Sequence, residues 1–177
     1  MFTYPYLIIK SLLGSIAELK EIDWYLNQFN RSDKSAMLFT TPAVYIQFAD
    51  ATTEAIGGKI QTANTTVTIH LVTDTMYSTG KRMEKANPTD HANLMDAIYK
   101  VLDGQGGLLS DITGNEALKG TENDARIFNS LTRDKITAPH DLRNKIISSH
   151  QFNGLFYDHS KVKAFQSIAA NLEINTN

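Results

Sequence analysis

The most regular stretch of the chain is Pro42 to Phe48, where Val44, Ile46 and Phe48 alternate with Ala43, Tyr45 and Gln47. A period of two places successive side chains on opposite faces, so the segment reads as a strand. Pro42 suits its first position, where no ladder donor is needed. Thr65 to Thr73 repeats the pattern, with Val67, Ile69 and Leu71 set against Thr66, Thr68 and His70, after punctuation at Gly57 and Gly58. These two strands are expected to pair antiparallel. Ile22, Trp24 and Leu26 form a shorter run of the same period, followed by a polar stretch, Gln28 to Ser35, that reads as a loop.

Elsewhere the spacing is helical. Leu12, Ile16 and Leu19 recur every three or four residues with Ser15, Glu18 and Lys20 opposite, which predicts an amphipathic helix ending near Lys20 with Pro5 close to its start. A second helix opens at Pro88, Thr89 and Asp90, where His91 follows as part of the cap chemistry. Its stripe is Leu94, Ile98 and Val101, widened by Met95 and Leu102, and Lys100 and Gly104 suit its C-terminal end.

The intervening segments carry less pattern. Asp74 to Asn87 loses periodicity and gathers Lys81, Arg82 and Lys85, so it reads as a solvent-facing excursion. Gly104 to Asp124 reads as a loop with at most a helical turn near Glu116 to Leu118. Ile127, Asn129, Leu131 and Arg133 predict a third strand, and Asn144 to Tyr157 a fourth, joined through a turn at Pro139, His140 and Asp141. The tail, Ser160 to Asn177, has helix-compatible spacing at Val162, Phe165, Ile168 and Leu172, yet Leu172 and Ile174 also suit a strand. The order predicts an α+β fold, with an antiparallel or mixed sheet of about four or five strands packed against two main helices. Residues 1–159 are expected to form a single domain and residues 160–177 a C-terminal tail or arm.

Composition narrows the function classes. Apolar residues make up 42% and charged residues 20%, an ordinary globular balance. Seventeen basic against nineteen acidic side chains give a net charge of −2, so no global basic field draws phosphate backbones. The absence of cysteine excludes disulfides, thiolate metal sites and thiol nucleophiles. No apolar run approaches the roughly 20 residues of a membrane span, and no basic region precedes Ile8 and Ile9, so neither a span nor a signal peptide is expected.

No catalytic, cofactor-binding or metal-ligating constellation stands out. None of the five histidines pairs with another at ligand spacing. His70 reads as a satisfied or exposed strand residue. His140 beside Asp141 has the look of a base with its orienting carboxylate, but turn chemistry after Pro139 explains both. His150 and His159 have no acidic cluster nearby except Asp158. Asp103 to Gly107 follows a helix, whereas a phosphate-cradling loop must precede one, so it reads as a helix stop. No Gly-x-Ser-x-Gly elbow is present. Lys81, Arg82 and Lys85 fit a solvated loop face, or a patch for an acidic partner.

Taken in order, the Glu18-Leu19-Lys20 helix end, Ile22 to Tyr25, Gln28-Phe29, Pro42 to Phe48, Thr66 to Thr73, Asp96 to Gly104 and the Pro139-His140-Asp141 turn resemble the bacteriophage tail-terminator, or tail-completion, family. The resemblance covers residues 7–157 and rests on structural motifs. It implies a non-enzymatic virion subunit, without cofactors, that closes into a homo-oligomeric ring, commonly a hexamer. Such a ring ends the tail tube and meets neck proteins, and DNA passes through it without specific binding; assembly takes place in the host cytoplasm. A head-closure or neck subunit of the head–tail connector is the alternative, as is a non-viral cytosolic adaptor. The inward row of the last strand would be Ile146, Ser148, His150 and Phe152, polar at its two central members.

Overall fold

In the computed structural model the described residues are 2–27, 40–56, 60–79, 82–85, 88–113, 119, 124–142 and 145–159. The expectations for Gln28 to Ser35, for Gly57 and Gly58, for Lys81, for the turn at Glu116 to Leu118 and for the tail lie outside them.

The first helix, α1, spans Thr3–Leu13 and buries Pro5, Ile8, Ile9 and Leu13. It lies upstream of the predicted stripe. Gly14 donates its N–H to the Lys10 carbonyl at 2.9 Å, and the Ser15 hydroxyl donates to the Leu12 carbonyl at 2.7 Å. The last carbonyls are thereby satisfied and the helix stops, while Ile16, 7% exposed, reaches the core from the turn that follows.

Strands β1 (Glu21–Trp24), β2 (Ala43–Phe48), β3 (Glu54–Ala55) and β4 (Gln61–Asp74) come next. β1 lies parallel to β2, and β2 is antiparallel to β4 from Ala43↔Val72 to Phe48↔Val67, as the alternation predicts. Beyond Thr75, β5 (Met76–Thr79) and β6 (Arg82–Lys85) form an antiparallel two-stranded ribbon separate from the main sheet. A hairpin thus replaces the expected irregular excursion. Its alternation is hidden because neither face of M-Y-S-T or R-M-E-K is consistently apolar.

Helix α2 runs Pro88–Leu102. Its buried stripe is His91, Leu94, Met95, Ile98 and Leu102, which starts one position earlier than predicted and leaves the expected Val101 only half-buried at its margin. Gly104 sits at φ 78°, the left-handed conformation that ends helices, and its N–H donates to the Leu131 carbonyl at 2.8 Å. The segment after it holds β7 (Gly107–Leu108) and α3 (Ser110–Thr113), fixed where the Ser110 N–H and hydroxyl both donate to the Asp124 carboxylate at 3.0 Å.

The predicted third strand divides into β8 (Arg126–Phe128) and β9 (Thr132–Leu142), and β10 spans Lys145–Asp158. The expected turn at Pro139, His140 and Asp141 is instead part of β9, which continues to Leu142. Pro139 is tolerated because, among the described residues, β9 pairs with β10 alone, leaving its other edge free of ladder demands.

One eight-stranded mixed sheet results, larger than the four or five strands expected, in the order β1-β2-β4-β10-β8-β7, with β3 added on β4 and β9 on β10. The two predicted antiparallel pairs merge because β10 pairs with β4 along its whole length, from Lys145↔Asp74 to Asp158↔Gln61. The register aligns Val44, Leu71 and Ser148; Ile46, Ile69 and His150; and Phe48, Val67 and Phe152 across three strands. The apolar members of these rows meet Ile8, Ile9 and Leu13 of α1 and Leu94, Ile98 and Leu102 of α2 in the main core. Both helices therefore cover one sheet face. The opposite face has a smaller cluster of Ala43, Tyr45, Val72 and Ile147.

Candidate functional site: a buried histidine cluster beneath the second helix

The register sets Ser148 and His150 in rows otherwise filled by Val44, Leu71, Ile46 and Ile69, directly under α2. Polar groups there must find partners, because an unpaired buried donor or acceptor costs about 1–3 kcal/mol. The cap role read for His91 does not hold. It sits 3% exposed on the inner stripe of α2, with Nδ1 2.8 Å from Thr73 Oγ1 and Nε2 2.7 Å from Ser148 Oγ. Ser148, 1% exposed, donates its hydroxyl to Met95 Sδ at 2.9 Å. Thr73 Oγ1, the His91 ring, Ser148 Oγ and Met95 Sδ thus form one continuous buried hydrogen-bonded chain.

Threonine stands where a nucleophile–base–carboxylate triad would hold its carboxylate, and the Ser148 hydroxyl is buried against Met95. The cluster pins α2 to β4 and β10. His150, also 1% exposed, donates Nε2–H to the Met95 carbonyl at 3.0 Å, and its Nδ1 is a buried acceptor with no partner. Burial pulls the pKa of both histidines below the ordinary 6.5 and favours the neutral rings.

Beside the cluster lies an open pocket of about 250 Å³ between α2, β9 and β10, lined by His91, Met95, Ile136, Pro139, Ile146 and His150, with Asp96 and Arg133 among its other walls. The Arg133 guanidinium lies 3.6 Å from the centre of the Tyr99 ring. A larger open groove of about 840 Å³ runs between α1 and the β7–β8 region, past Ile8, Gly107, Arg126 and Phe128.

The other sequence candidates are scattered. His70 faces away from the helices, with Nε2 2.8 Å from Gln47 Oε1 and its ring stacked on Tyr25 at 4.5 Å. It is a satisfied strand histidine, and burial brings its pKa down to about 4. His140 and Asp141 are consecutive, exposed residues of β9 and point to opposite faces, so they form no dyad. His159 Nε2 lies 2.8 Å from the Arg126 carbonyl. Arg82 and Lys85 are on β6. Asp103 terminates α2 as a helix stop should, and its carboxylate accepts from the Arg133 backbone N–H at 3.1 Å.

The meeting of Thr73, His91, Ser148 and His150 was missed from sequence. Its signal is the three-residue step from His91 to Leu94, together with the even spacing of Ser148 and His150 between Ile146 and Phe152. Among the described residues no cluster of three or more His, Asp or Glu side chains could hold a metal ion, and no helix is long and apolar enough to cross a membrane. No protein-family model matches this chain, and no curated protein matches it.

Proposed function

We propose that this chain is a non-enzymatic assembly subunit of the phage tail-terminator type, which closes into a ring, in its commonest form a hexamer, between the tail tube and the neck. The observation that carries the reading is the β5–β6 ribbon. It follows β4, leaves the sheet and, among the described residues, pairs only with itself. A lone two-stranded ribbon is marginal in water, so such an arm gains its stability against a neighbouring chain. Ring closure requires a heterologous surface of this kind, one part of a subunit received by a different part of the next. The order of helix, strands, helix and strands is compatible with the family layout.

Light scattering gives the first test: the purified chain alone, or mixed with a tail-tube protein, is expected to reach a discrete ring mass. Negative-stain microscopy should then show rings capping tube ends. A strictly monomeric species that leaves tube ends bare and tube length uncontrolled would overturn the proposal. Binding to head-side connector rings in place of tubes would favour the head-closure reading.

A further inference from the structure

From the contacts of His91 we infer that this residue staples the root of the β5–β6 ribbon and thereby sets the direction in which the arm leaves the body. The ribbon departs at the end of β4, and the chain returns to the body at the start of α2. Thr73 lies three positions before Met76. His91 is the first buried side chain described in α2, after exposed Thr89 and Asp90. Thr73 and His91 are 18 positions apart in sequence, yet Oγ1 of one is 2.8 Å from Nδ1 of the other. Departure and return are thus joined by one buried hydrogen bond, and Nε2 carries the tie on to Ser148 of β10 at 2.7 Å. On the other face of β4 the next residue, Asp74, binds Thr41 and Lys145. An apolar residue at position 91 would fill the space but fix no direction, because burial is non-directional. Imidazole has two opposed ring nitrogens, and here they reach two adjacent strands. The inference rests on the assembly reading and deepens it. A heterologous contact closes a ring only at one angle, and an arm aimed before docking loses less conformational freedom on binding. His91 is in this sense a positioning residue.

The test uses the full chain and three variants. Thr73→Val keeps a β-branched side chain in the strand but removes the bond to Nδ1, whereas Thr73→Ser keeps the hydroxyl. Ser110→Ala removes a hydroxyl bond of similar kind, to Asp124 in another part of the fold. Because the chain has no cysteine, Ser78→Cys on the ribbon and Lys135→Cys on β9 accept a pair of spin labels. Their separation, measured by pulsed electron resonance on dilute monomer, should be narrowly distributed in the parent, in Thr73→Ser and in Ser110→Ala, and broad in Thr73→Val. In light scattering of the unlabelled proteins, Thr73→Val should need about five- to tenfold more protein to form rings, the equivalent of one buried hydrogen bond. Thr73→Ser and Ser110→Ala should assemble at the parent's concentration. A broad distribution already in the parent would overturn the staple, as would a narrow one in Thr73→Val or equal broadening by Ser110→Ala. If the parent forms no rings, the assembly reading fails, and the label distances alone decide the role of His91.

Discussion

Ser148 is hydrogen-bonded to His91 Nε2 and reaches Met95 Sδ, so its loss leaves a ring nitrogen unpaired in the core. Ser148→Ala is expected to destabilise the fold by about 1–3 kcal/mol, read from the urea midpoint. His70 supplies a pH dependence. Its ring titrates near 6.5 in the unfolded chain and at about 4 when folded, because burial disfavours the cation. Between those values the unfolded state holds more protons. Stability should therefore fall as pH drops from 6.5 towards 4 and level off below, by up to about 3 kcal/mol. His91 and His150 shift in the same direction and add to the slope. His70→Gln should flatten part of that loss in unfolding curves collected across the window, and an unchanged slope would show that burial of this ring is not its source.

At the scale of elements, β7 meets β8 at one close approach. A Cβ on Gly107 would lie 2.8 Å from Phe128 Cδ1, inside contact distance of a fully buried ring. Gly107→Ala should cost about 1–3 kcal/mol by overpacking, measured as a lowered thermal midpoint. The same scale shows what the sequence could and could not disclose. β2, β4 and β10 are legible because each buries one face consistently, and α2 because its stripe holds from Leu94 to Leu102. The end of α1 was misplaced because Ile16 is buried without being helical. β9 was obscured by Pro139, His140 and Asp141, residues that favour turns locally but are accepted by an edge strand. The β5–β6 ribbon was hidden because neither M-Y-S-T nor R-M-E-K alternates apolar with polar residues. The histidine cluster was hidden for a different reason: its members lie up to 77 positions apart if Thr73 is compared with His150, and only the β4–β10 register brings their elements together.

For the whole molecule, the ribbon is separable in a way that no strand of the main sheet is. Replacing residues 76–85 with a short turn should leave the thermal midpoint within a few degrees of the parent while abolishing ring formation in light scattering. Loss of the fold would make the ribbon a structural element, and persistence of rings would remove its assembly role. The central pairing of β4 with β10 sets a further constraint, on biosynthesis. During translation β4 is complete some seventy residues before β10 begins at Lys145, so one edge of an apolar strand waits for its partner. Such long-range closure is slow and leaves an aggregation-prone edge in the interval. Chains released before Lys145 should therefore accumulate as insoluble material or chaperone-bound species, whereas chains ending after Asp158 should remain in the supernatant. The last of the described strands to leave the ribosome is the one that completes the middle of the sheet.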